Sequence, residues 1–368
     1  MIKTIVNTEL PLAERFMVKK NVIKGGTGRK RFCIVTGTHG DELEGQMVCY
    51  EMARLVQQHA DQLNGTIEIY PALNPLGIDT IQRGIPNFDL DMNRIFPGNE
   101  HGTMAEQAAY RICEDLKGAD MVIDIHSSNL YLRESPQVRI NVLNEEQLVP
   151  EARHLGVDFI WVHDAATVLE ATLAHSLNST GTPCLVVEMG VGQRINHQMC
   201  THLVKGIFNL MKEMGMWNRP LSPLKGEKRD VNEDENVNER SAQRDASLDE
   251  GGQKNDELCS LTGDNQPLLD PIVCKGNRVT FLNAECSGVF LTDLRTGKIV
   301  EKVQSIGRIV DPLTGSVLSD VVSPIDGFLF TIRAYPIVYE GSLMARIFEY
   351  SDEELDTVKA VSAAEPIS

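Results

Sequence analysis

Basic residues are scarce in this chain: 35 Lys and Arg stand against 52 Asp and Glu, a formal net charge of -17. That balance excludes a nucleic-acid or anionic-membrane partner, because a phosphate surface needs a basic face opposite it. Long apolar runs are missing too. The opening residues, MIKTIVNTELPLAERF, hold no extended h-region, so no signal peptide is expected. Runs such as Cys184 to Val187 are far too short to span a bilayer. The eight cysteines are scattered with no C-x-x-C pair, and several lie in apolar stretches. They read as reduced, buried thiols of a cytoplasmic protein. No Gly-x-Ser-x-Gly elbow is present, which removes the usual signature of a serine hydrolase.

What is present is alternation. Arg31–Thr36, Thr66–Tyr70, Met121–Ile125 and Cys184–Val187 are short apolar strand-like runs. Between and after them, Leu43 to Gln58, Met104 to Leu116 and Met199 to Met214 repeat apolar residues at helical spacing. Strands alternating with helices predict an α/β fold with a mixed, largely parallel sheet flanked by helices, over residues 1–220. Residues 221–260 are charged and poor in apolar side chains, so they read as an acidic linker that cannot offset its ordering entropy. Residues 261–350 carry only strand and turn signals and predict a small all-β barrel or sandwich, followed by a tail at 351–368.

Three of the predicted strands end on residues with chemistry. The first runs into GTHGDE, where His39 and Glu42 stand three apart in a glycine-flanked turn. MVIDI runs into His126. Two imidazoles and a carboxylate are the ligand set of an open catalytic zinc, and ligands of open α/β sheets gather beyond the strands' carboxyl ends. Each histidine alone is better read as a cap or hydrogen-bonding residue; two at strand ends, one within His-x-x-Glu, favour the metal. CLVV runs into Glu188, which reads equally well as a general base beside the metal or as a cap. The turn-rich loop between the histidines holds Arg83, Asn93 and Arg94, planar donors suited to carboxylates and oxyanions, though the pattern alone reads as ordinary surface. KGGTGRK at 24–30 precedes a strand instead of opening a helix, so it reads as a hairpin turn and not a phosphate loop. His163 and His175 have nothing beside them in sequence to single them out.

In chain order, GTHGDE, NP…R…DMNR, DIHSS and VEMG followed by a β region resemble the succinylglutamate desuccinylase/aspartoacylase family, a relative of the zinc carboxypeptidases. The resemblance covers roughly residues 31–218 and extends to the β domain of that family's uncharacterised deacylase branch. It implies a zinc-carboxypeptidase-like sheet and one Zn²⁺ held by His39, Glu42 and His126. It further implies that Glu188 activates water, that Arg83 stabilises the oxyanion, and that Asn93 and Arg94 grip a substrate carboxylate. The expected activity is hydrolysis of N-acyl amino acids or related small amides. The alternatives are a peptide carboxypeptidase and a non-catalytic carrier; for the carrier, no Met-Lys-Met hairpin is found. A homo-oligomer is left open.

Overall fold

The computed structural model describes residues 1–86, 88, 90–164, 170–218 and 268–364. The acidic 221–260 stretch lies outside them.

The first half runs β1 (Ile2–Glu9), β2 (Arg15–Gly25), β3 (Arg31–Thr36), α1 (Glu44–Gln58), β4 (Gly65–Tyr70), α2 (Pro75–Thr80), α3 (Met104–Leu116), β5 (Met121–Ser127), β6 (Leu132–Asn141), α4 (Glu145–Ala152), β7 (Phe159–His163), α5 (Leu173–Asn178), β8 (Cys184–Gly190) and α6 (His197–Glu213). The chain then adds β9 (Ile272–Lys275), β10 (Val279–Asn283), β11 (Gly288–Leu291), β12 (Lys298–Val300), β13 (Ser305–Asp311), β14 (Ser316–Val322), β15 (Gly327–Arg333), β16 (Ile337–Val338), β17 (Leu343–Phe348) and α7 (Leu355–Ala363).

This is an α/β protein whose large mixed sheet is flanked by helices, with an all-β C-terminal region. The strands β4, β3, β5 and β8 lie side by side and parallel. They are apolar on both faces because helices cover both, as parallel strands require. Helix α3 begins with a capping box in which Thr103 and Glu106 exchange bonds, and it buries Ala105, Ala108, Ala109, Ile112 and Leu116. Those side chains pack on Cys33, Val35, Val122 and Cys184 of the sheet. Residues 24–30 do not form a hairpin. The strands on either side of them, β2 and β3, both pair with β4, which therefore lies between them.

At β6 the sheet divides. Its first residues, Leu132 to Glu134, pair with β15, while Gln137 to Asn141 pair with β7 along the same edge. Pro136 falls between the two stretches and has no N–H to give to a ladder. Through β15 the sheet continues to β17 and β10, and through β7 to β9. A second, four-stranded sheet in the order β14-β13-β11-β16 faces the outer part of the first. Phe290, Ile309, Val338, Met344 and Ile347 fill the space between them. Phe159 stacks on Phe330 at 4.4 Å, tying β7 to β15. Among the described residues no helix is long and apolar enough to cross a membrane.

Candidate metal centre and active site

Because β3, β5 and β8 run parallel, their carboxyl ends open on one crevice. Pairing sets His126 beside Glu188. After β3 the chain turns through GTHGDE, and here glycine is required by space. A Cβ on Gly40 would lie 1.9 Å from the backbone of Gly77, and the Gly40 N–H donates to the carbonyl of Gln82 at 3.1 Å. That close contact brings the loop carrying Arg83 against the turn carrying His39.

The structure brings His39, Glu42 and His126 together. All three are buried, with candidate ligand atoms within 4.8 Å of one another. His39 Nδ1 is 2.7 Å from Glu42 Oε1, and His126 Nδ1 is 2.9 Å from Glu42 Oε2. The two Nδ1 atoms face each other at 3.2 Å. Their opposite nitrogens meet carboxylates: His39 Nε2 lies 3.1 Å from Asp91 Oδ1, and His126 Nε2 lies 3.2 Å from Asp124 Oδ2. The first contact is a hydrogen bond; the second is close enough for an ion pair but is not aligned as a straight bond. Burial lowers both imidazoles, but Glu42 and Asp91 around His39, and Asp124 and Glu42 around His126, outweigh it and hold both above the ordinary value, which favours their protonated forms. Once the Nδ1 protons are given up, each Nε2 can keep a proton towards its carboxylate while each Nδ1 offers a lone pair. Two imidazole nitrogens and a carboxylate converging in this way fit a divalent cation that takes the place of those protons. Burial alone would raise the Glu42 carboxyl, but the two imidazoles outweigh it and hold the group well below the usual carboxylate range.

Glu188 lines the same cavity, about 400 Å³ in volume, as do Arg83, Asn93 and Arg94. Its Oε1 lies 3.2 Å from Arg139 Nη1. Burial pushes its carboxyl above the ordinary value, and Arg139 opposes the shift without cancelling it. Arg83 Nη1 is 2.9 Å from Glu42 Oε1, and the side chain is 41 % exposed. The side-chain Oδ1 of Asn93 accepts from the backbone N–H of Leu173 at 3.0 Å, anchoring the start of α5. Arg94 is exposed and donates to the backbone carbonyl of Asn93 at 2.8 Å.

Sequence reasoning passed over several residues of this cavity. His163 and His175 line it, as do Asp124, Arg139 and Arg346. Asp124 and His163 had a usable signal. Asp124 stands two before His126 on a strand and so shares its face, and His163 closes β7 as His126 follows the apolar run of β5. Arg139 and Arg346 had none.

Residues 29–214 match the family model described as the succinylglutamate desuccinylase/aspartoacylase catalytic domain. The chain belongs to that family. A relative from Halomonas elongata, an N-alpha-acetyl-L-2,4-diaminobutyric acid deacetylase, is 24% identical over 208 residues, which span 54% of this chain and 59% of the relative. The chain therefore matches less than two thirds of that protein's length. Among solved structures, a succinylglutamate desuccinylase/aspartoacylase from Rhodobacter sphaeroides superposes with a TM-score of 0.69 at 19% identity, covering 95% of this chain and 96% of its own. A product-bound ectoine utilization protein from Ruegeria pomeroyi gives 0.69 at 20% identity, covering 94% and 93%. These likenesses show that the fold of the family extends over the C-terminal β region as well as the matched catalytic part.

Proposed function

We propose that the chain is a zinc-dependent hydrolase that cleaves the amide bond of N-acyl amino acids or related small amides. One observation carries the reading: His39, Glu42 and His126 converge at the wall of a cavity that Glu188 also lines. The deacetylase relative and the family membership support the class of reaction. Pocket size favours small substrates, since about 400 Å³ suits a compact metabolite better than a peptide chain.

His39, Glu42 and His126 would hold the metal, which when bound supplies Lewis acidity and eases formation of hydroxide near neutral pH. Glu188, its carboxyl raised above the ordinary value by burial, takes a proton from the attacking water and returns it to the departing nitrogen. Arg83 can turn from Glu42 towards the substrate carbonyl, where its fork stabilises the developing oxyanion. With the oxygen of Asn93 committed to Leu173, its NH₂ end is the one left to donate to a substrate carboxylate, beside the Arg94 guanidinium.

Metal analysis of the purified protein comes first. Turnover is then measured on a panel of N-acetyl and N-succinyl amino acids, Nα-acetyl-L-2,4-diaminobutyrate included, beside a peptide library. Glu188→Gln is expected to keep its metal and to lose most turnover. Near-normal rates in that variant would remove the base assignment, and cleavage confined to peptides would favour a carboxypeptidase.

A further inference from the structure

Glu188 is not held by its own strand alone. Its partner Arg139 sits on β6 and also reaches both oxygens of Glu134, at 2.9 and 2.8 Å from Nη2. Glu134 and Arg139 are five residues apart, so a regular strand would turn them to opposite faces. Between Glu134 and Gln137 the register of β6 against β8 shifts, and the extra residue restores both side chains to one side. Glu134 is nearly inaccessible at 2 % exposure, and it accepts a second guanidinium: Arg346 Nη1 lies 2.5 Å from its Oε1.

Arg346 comes from β17, more than two hundred residues further along the chain. The sheet explains how it arrives. Gly190, Glu134, Thr331, Arg346 and Phe281 are consecutive partners across β8, β6, β15, β17 and β10. Residues in one such row share a face, so the long Arg346 side chain reaches over Thr331 to Glu134. The two guanidiniums also share a platform, Arg139 at 5.8 Å and Arg346 at 5.7 Å from the Trp161 ring, with Phe281 at 5.6 Å from Arg346. Arg346, Glu134, Arg139 and Glu188 thus form an unbroken line of alternating charges that enters the cavity at the carboxylate assigned as base.

We propose that Arg346 is a positioning residue for Glu188, acting through Glu134 and Arg139, so that the C-terminal β region sets the aim of the base. The inference rests on the reading of Glu188 as the base. Without Arg346, Glu134 draws Arg139 to itself, and the Glu188 carboxylate loses its fixed neighbour. Although Arg346 also lines the cavity, its guanidinium is engaged by Glu134, so its loss is expected to fall on the chemical step and to spare binding.

The test uses the metal-loaded, full-length chain and Nα-acetyl-L-2,4-diaminobutyrate, or whichever N-acyl amino acid of the panel above it turns over fastest. Arg346→Met is expected to lower kcat by about 10- to 100-fold, with KM changed by no more than about twofold. Arg346→Lys, which keeps the charge and guards against a folding defect, is expected to fall between. Guanidinium chloride at sub-denaturing concentration should restore part of the Arg346→Met rate, which a simple packing role would not allow. Arg308→Met, on the exposed side of β13, serves as a control for the β region and should behave as wild type. A crystal structure of metal-free Arg346→Met should show the Glu188 carboxylate moved from Arg139. Unchanged kcat in Arg346→Met, beside a dead Glu188→Gln, would overturn the proposal. So would a raised KM at constant kcat, or a Glu188 that stays in place. Turnover retained in both variants would sink the base assignment and this inference with it.

Discussion

Two buried clusters of charge lie on the same sheet, and they are built on opposite plans. On the α3 side, Lys20 Nζ bonds Glu68 at 3.0 Å, Asp115 at 2.6 Å and the Tyr70 hydroxyl at 3.1 Å, while Arg31 reaches Glu68 at 3.1 Å. Two cations meet two carboxylates, and the phenol bridges them. Burial and the surrounding acids push the Tyr70 hydroxyl far above its ordinary range, so it stays a neutral donor. At the carboxyl ends of β3 and β5, by contrast, Glu42, Asp91 and Asp124 face two imidazoles and the single guanidinium of Arg83. The first cluster is closed on itself and holds the sheet together. The second is balanced only while its imidazoles carry protons, as the carboxylates around them favour, or when a cation takes the place of those protons.

That contrast is open to attack by mutation. His39→Ala should cut turnover by about 10³-fold or more and strip the metal, because two donors cannot hold the geometry that lowers the barrier. The metal-free variant should lose about 1–3 kcal/mol in urea unfolding, because Glu42 and Asp91 lose a buried partner; a drop as large as that of the Lys20 variant would mean that this cluster too is structural. Lys20→Met should do the reverse, costing about 3–5 kcal/mol in denaturant unfolding by stranding Glu68 and Asp115, with metal content intact. Asp91→Asn should cost about 10- to 100-fold in metal affinity, read by competition with a chelator, since it releases the His39 ring from its fixed tautomer.

The smallest effect is expected at a half-buried surface pair that belongs to neither cluster. Arg278 grips Glu354 through both nitrogens at 2.7 and 2.8 Å, and this holds the Glu354 carboxyl down at about 2. A depressed carboxyl stabilises the fold above its unfolded value and loses that contribution as the pH falls through the folded one. Glu354→Gln should therefore cost less than about 1 kcal/mol at pH 7, the surface position limiting the effect, and the difference should vanish as the medium is acidified towards about pH 2.

The parallel core and the three strand-end residues were legible in the sequence for one reason. A short apolar run stopped by a polar residue marks both a buried strand and its carboxyl end, and His126 and Glu188 carry that mark, as does the turn into His39. Their meeting at one point is a property of the sheet order, which no single run encodes. Asp91 sits in a turn-rich loop without periodicity, so nothing distinguished it from its neighbours. Glu134 and Arg139 were hidden by the bulge, which breaks the alternation on which face assignments depend. Residues 132–141 were not recognised as a strand at all, since a proline and charged residues interrupt their apolar pattern. Arg346 could be found only by counting rows across four strands.

The forked strand β6 has a consequence for how this molecule can be taken apart. Both prongs are capped by chain from beyond residue 268, β15 on one and β9, by way of β7, on the other. A version shortened to end at residue 218 would bare two ladders of backbone donors and acceptors at once. Such a fragment should clump with its own kind instead of folding as a smaller enzyme, and melting of the full protein should carry the helical half and the C-terminal strands through one shared transition.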